Sequence, residues 1–176
     1  MDNEHLKYPI GTFKPQESLS EQDRTNFSIE IALIVPTLKE TLNNLDNSQI
    51  QTPYRIDGWT IQQVIHHMAD NDMNAYIRLK RALTEEEPQA TSYREDLWGE
   101  LNDYKETPIS ISISLLESIH YRLIKILEGL KPEDYNRRFS TQVLGLISVD
   151  TALQRFIWHN NHHTAQIKEL RRRMQW

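Results

Sequence analysis

Histidine carries the most chemistry in this sequence. Seven occur, and five of them fall in two clusters, His66-His67 and His159, His162, His163. A helix turns by about 100° per residue, and on that phase Val149, Ala152, Leu153, Phe156, Ile167 and Leu170 define one apolar face. His163 projects near the middle of that face, His159 lies one turn earlier on the same side, and His162 falls on the flank. Two histidines at i and i+4 on one face can reach the same metal ion, as the two in H-E-x-x-H do. Here Asn160 and Asn161 follow His159 and no Glu intervenes, which excludes the zincin protease pattern. The competing account of the pair is hydrogen bonding to Asn160, backbone or water, because buried imidazole nitrogens need partners.

A third ligand has to come from another element. His66 and His67 both lie at the edges of an apolar stripe, on opposite sides, so periodicity does not choose between them. Asp70 and Asp72 are the nearby acidic options, since zinc accepts carboxylates as well as imidazoles.

The elements that must position these residues are helical. Pro9, Gly11 and Pro15 mark residues 1–17 as an irregular arm. Ser18 and Glu21 have capping-box spacing and precede a helical pattern through Ile29, Leu33, Leu38, Leu42 and Leu45, with Pro36 predicted to kink or divide it. Residues 47–59 read as a loop with turn signals at Pro53 and Asp57-Gly58. Thr60 and Gln63 form a second capping box, and the helix after it carries the stripe Ile61, Val64, Ile65, Met68, Ala75, Leu79 and Leu83. A long connection over 84–109 has room for a short helix near Asp96–Tyr104. A third long helix is predicted from about residue 110 to Lys131-Pro132, then a small hairpin over 137–147 around Gly145, and a last helix capped by Ser148 and running to about Met174. Four long amphipathic segments with polar connections predict an all-α four-helix bundle, one domain over residues 1–176.

Composition narrows the functions. A formal charge of -5 argues against a nucleic-acid partner, which calls for a basic face. The one dense basic run, Arg171-Arg172-Arg173, reads as a helix C-terminus that favours cations. The absence of Cys excludes disulfides, thiolate ligands and a Cys nucleophile. No apolar stretch is long enough to span a bilayer, and the N-terminus lacks a signal-peptide pattern, so a cytoplasmic location without membrane association is the expectation.

The order of several short motifs over nearly the whole chain resembles the DinB-like superfamily and, within it, the YfiT-like group of metal-dependent hydrolases. They include Tyr8-Pro9-Ile10-Gly11, Thr52-Pro53-Tyr54-Arg55 and Gly58-Trp59-Thr60, running into Gln63-Val64-Ile65-His66-His67-Met68-Ala69-Asp70. Met73-Asn74, Tyr76-Ile77-Arg78, Leu83-Thr84-Glu85-Glu86, Trp158-His159 and His162-His163 follow. The resemblance implies a four-helix bundle holding one divalent ion by three histidines, which carried over are His67, His159 and His163. It also implies a homodimer, for which an acidic bundle with a long N-terminal arm is a suitable shape. Asn161 and Thr164 depart from the family's pattern, in a stretch that is richer in His there.

Three imidazoles leave a divalent ion with its full charge and an open coordination position, the mark of a catalytic rather than a structural site. Zinc is the first expectation for the ion and nickel the alternative, because imidazole suits both. The resemblance implies hydrolysis of a small-molecule substrate by activated water. The alternatives are transfer of a low-molecular-weight thiol, as in bacillithiol transferases of the superfamily, and a non-enzymatic metal-binding regulatory protein. Asp70, Tyr104, Tyr76, His66 and His162 are the candidates for a general acid or base, with none singled out. Trp59 and Trp158 read as core aromatics rather than substrate platforms.

Overall fold

A computed structural model describes residues 3–176 of the chain. The elements are α1 (Asn3–Lys7), α2 (Glu21–Leu42), α3 (Asn47–Ile50), α4 (Ile61–Thr84), α5 (Glu95–Trp98), α6 (Asn102–Glu106), α7 (Ile109–Leu127), a hairpin of β1 (Arg138–Thr141) and β2 (Gly145–Ser148), and α8 (Val149–Met174). The four long helices each pack chiefly on two others, in the cyclic order α2, α7, α4, α8. The architecture is the four-helix bundle read from the sequence, with the small hairpin leading into its last helix.

Capping sets the helix starts. Thr60 caps α4 with Gln63 completing a reciprocal box, and the Ser148 hydroxyl accepts from the Thr151 amide at the head of α8. The first box is shifted from the prediction. Ser20 with Asp23, rather than Ser18 with Glu21, opens α2, and this leaves Leu19 outside the helix to pack on the core. Pro36 does not divide α2. It sits on the exposed face together with Ala32, whose carbonyl loses its donor but remains reachable by water. The arm contains one helical turn, α1, and the loop after α2 contains α3, both too short to register in a hydrophobic pattern. The long connection holds two short helices, α5 and α6, where the sequence predicts one.

Two apolar clusters fill the bundle. One gathers Phe27, Ile31, Leu79, Leu123, Leu153 and Phe156. The other gathers Leu38, Ile61, Ile65, Met68, Leu116 and Ile167. Along α4, α7 and α8 the residues between these clusters are polar yet buried, among them Asp72, His120 and Asn160. His120 Nε2 lies 2.7 Å from Asp72 Oδ2, and Asn160 donates to Asp72 Oδ1 at 3.0 Å, so the belt is internally paired. Among the described residues, no helix is long and apolar enough to cross a membrane.

Candidate metal centre

His67 on α4 and His159 and His163 on α8 meet at their Nε2 atoms. His67 Nε2 and His163 Nε2 each lie 3.2 Å from His159 Nε2. The ligand-capable atoms of the three all fall within 4.8 Å of one another. Two nitrogens bound to a tetrahedral zinc at its usual distances stand about 3.3 Å apart, so the observed spacing suits an ion between them. Hydrogen bonding alone does not account for it. His159 Nε2 has either one proton or one lone pair, and therefore makes at most one good hydrogen bond with two nitrogen neighbours.

The position of α4 between α7 and α8 separates His66 from His67. Adjacent residues on a helix point about 100° apart, so one turns to each neighbour. His66 Nδ1 lies 2.7 Å from Ser112 Oγ of α7, and its Nε2 lies 3.1 Å from the Thr107 carbonyl. Both nitrogens are thus committed away from the cluster.

The three imidazoles are held neutral. Burial pushes the His67 pKa down to about 4, with the His162 ring adding to the effect. Burial does the same to His159 and His163, reinforced by the other histidines, and places both well below the usual histidine value. Neutral imidazoles present free lone pairs, the form a metal requires.

The outer nitrogens have partners on two of the three rings. His163 Nδ1 lies 2.8 Å from Gln166 Oε1, and the Gln166 amide donates at 2.9 Å to the Lys7 carbonyl in the arm. That bond fixes which end of the amide faces His163, and so puts the His163 proton on Nδ1 and its lone pair on Nε2. His159 Nδ1 lies 3.1 Å from Asn71 Nδ2. The same Asn71 Nδ2 donates to Asp72 Oδ1 at a long 3.4 Å, and a half-turn of the amide, whose two ends are alike in shape, would give up that bond to present the oxygen that a ligating His159 calls for. His67 Nδ1 is buried and meets no protein acceptor among the described residues.

The cluster opens on a cavity of about 310 Å³. Its wall includes Trp59, whose ring centre lies 4.6 Å from that of His67, and Trp158, stacked on His162 at 4.8 Å. Both indoles are only partly buried and line the cavity; Trp59 also packs against the second apolar cluster, as the sequence predicts, whereas Trp158 belongs to neither cluster. The loop that brings Trp59 there is tight, with the Tyr54 amide bonded to the Trp59 carbonyl at 3.0 Å. At Gly58 in this loop a Cβ would stand 2.6 Å from Arg55 Cγ and 3.1 Å from its carbonyl oxygen, which leaves no space for a side chain.

Of the acid–base candidates only His162 lines this cavity. Gln166 Nε2 lies 3.0 Å from His162 Nε2 and donates to it, so the His162 proton sits on Nδ1, an atom with no protein partner. Asp70 accepts from the Tyr104 hydroxyl at 2.7 Å, which occupies both residues. The Tyr76 ring lies beneath Lys80 and Arg122, at 5.5 and 5.4 Å. Asp72 pairs with His120 in the belt rather than joining the cluster.

Comparison with known proteins bears on the family and the fold. Residues 36–167 match the DinB superfamily. YfiT of Bacillus subtilis, provisionally named a metal-dependent hydrolase, is 40% identical over 177 positions, covering 100% of this chain and 99% of the relative. A Bacillus cereus protein with the same provisional name is 40% identical over 171 residues, 97% of this chain and 98% of its own length. The solved structure of Bacillus subtilis YfiT, described as having an unusual four-helix bundle topology, superposes with a TM-score of 0.95 over 98% of this chain and 99% of that one. The chain belongs to the DinB superfamily.

Proposed function

We propose that the protein is a metal-dependent hydrolase of a small molecule, with His67, His159 and His163 holding one divalent ion through Nε2. The observation that carries the reading is the convergence of three neutral imidazole nitrogens, at 3.2 Å spacing about His159, on a cavity. Zinc suits this donor set and nickel is the alternative. A divalent ion supplies Lewis acidity, which activates water or polarises a carbonyl at neutral pH.

The chain's own residues supply the rest. Gln166 orients the His163 ring and fixes its tautomer. Trp59 and Trp158 wall the cavity and restrict water. His162 lines the cavity with its ring held in place by Gln166 at Nε2 and by the stacked Trp158.

The test is a panel of ester, amide and lactone substrates with the zinc- and nickel-loaded protein, run beside a low-molecular-weight thiol with a chromogenic electrophile. Hydrolysis that vanishes in His163→Ala supports the proposal. Turnover only in the thiol arm replaces it with thiol transfer, and a loaded protein silent in both arms points to a regulatory metal protein.

A further inference from the structure

A second cavity, of about 190 Å³, adjoins the first along Glu95, Arg155 and His159. Its floor is apolar and belongs to the core, with Leu79, Leu123, Phe139, Leu153 and Phe156 all buried. For scale, a dry cavity of about 150 Å³ lined by such residues accepts a benzene ring. This one therefore has room for a phenyl group or a branched alkyl chain of similar bulk.

Two guanidiniums line the same cavity, Arg78 and Arg155, with the Glu95 carboxylate acting on Arg155 only through space. Arg78 of α4 gives Nη2 to the Thr91 carbonyl at 2.6 Å, while its Nε is buried with no partner. Arg155 of α8 lies over the rings of Phe13 and Trp158, at 5.7 and 5.6 Å. Among the described residues neither arginine has a carboxylate within ion-pair distance, although Glu95 lines the cavity too. The Tyr93 hydroxyl, in the same lining, is also buried without a partner. Leaving the buried Arg78 Nε–H and Tyr93 hydroxyl with nothing to receive them is unfavourable. A carboxylate answers this arrangement, since it accepts from both an arginine N–H and a tyrosine O–H.

We propose that the substrate is a carboxylate carried on a compact apolar body, which fills the second cavity with its anionic group at Arg78, Tyr93 and Arg155 and its reacting bond towards His159. The assignment of that bond rests on the hydrolase reading above, but the binding site stands apart from it.

The probe is 3-phenylpropionate, titrated by calorimetry into full-length protein with and without zinc, beside its uncharged analogue 3-phenylpropanamide. Wild type should bind the carboxylate at least about tenfold more tightly than the amide, the scale of one charge-assisted pair. Arg78→Gln and Arg155→Gln should each erase that preference, and Tyr93→Phe, which removes a single oxygen, should reduce it several-fold and serves if an arginine variant does not fold. His163→Ala should lose zinc and keep the preference. Equal binding of the two probes by wild type overturns the proposal, as does a preference that survives the arginine and tyrosine changes. So does one lost with the zinc but kept in Arg78→Gln, because the anion then sits on the ion. Retention of zinc by His163→Ala sinks the metal assignment instead and leaves the carboxylate site to be judged on its own variants.

Discussion

Gln166 Oε1 stands 2.8 Å from His163 Nδ1, and the amide that carries it is almost fully buried. The same amide group reaches Lys7 in the arm and His162 one turn back on α8. One side chain therefore sets the tautomers of two histidines and ties the N-terminal arm to the candidate metal centre. Outer partners of this kind are worth about 10- to 100-fold in metal affinity. Gln166→Leu should weaken zinc binding by that order while the bundle stays folded. Competition against a chromogenic chelator measures it, and an unchanged affinity would show that His163 needs no such support.

His66 and His67 should behave differently despite being neighbours. His67→Ala should lose the ion, as His159→Ala and His163→Ala should. His66→Ala should keep it but destabilise the fold by about 1–3 kcal/mol, because Ser112 and the Thr107 carbonyl lose a partner. Elemental analysis and thermal melts separate the two effects. Metal lost from His66→Ala and retained in His67→Ala would reverse the assignment.

The bundle and most of its boundaries were legible in the sequence because amphipathic periodicity and capping boxes act locally. Thr60 with Gln63 and Ser148 are read from neighbours a turn away. The phase of α8 likewise singles out His159 and His163, since it needs only the helix's own apolar face. The choice between His66 and His67 is not local, because it depends on α4 lying between α7 and α8. Only the family resemblance pointed to His67. Gln166 and Asn71 escaped notice for the same reason, although Gln166 follows His163 by three positions and His162 by four, a spacing that places all three on one helical side. The Asp72–His120–Asn160 belt draws on three helices, and no single stretch of sequence announces it.

Protons should destabilise the metal-free protein. In the folded chain burial lowers the His67 and His162 pKa values to about 4, and in the unfolded chain histidine titrates near 6.5. Between those values the unfolded chain binds more protons, so stability is complete above about pH 6.5 and is lost as pH falls towards 4. For His67, which is nearly inaccessible, the full window corresponds to roughly 3 kcal/mol. His159 and His163 shift in the same direction. Melting temperatures of chelated protein should therefore drop steadily from pH 7 downwards, and a flat profile over that range would contradict the neutral, buried histidines.

Removing the ion should leave a folded bundle. The two apolar clusters are built from all four long helices and neither includes a cluster histidine. Apolar burial stabilises by about 25 cal/mol per Å², and that contribution does not depend on metal. The ion should add stability only through its preference for the native state, about 2.7 kcal/mol at a free concentration 100-fold above Kd. Chelated protein should thus remain helical and melt cooperatively at a lower temperature, and restoring zinc should return both the melting temperature and the activity. Circular dichroism and calorimetry of the chelated sample, with the hydrolysis assay beside them, make the comparison. A chain already unfolded at room temperature without metal would mean that the ion closes the structure, and an open, reactive coordination position at His67, His159 and His163 would lose its support.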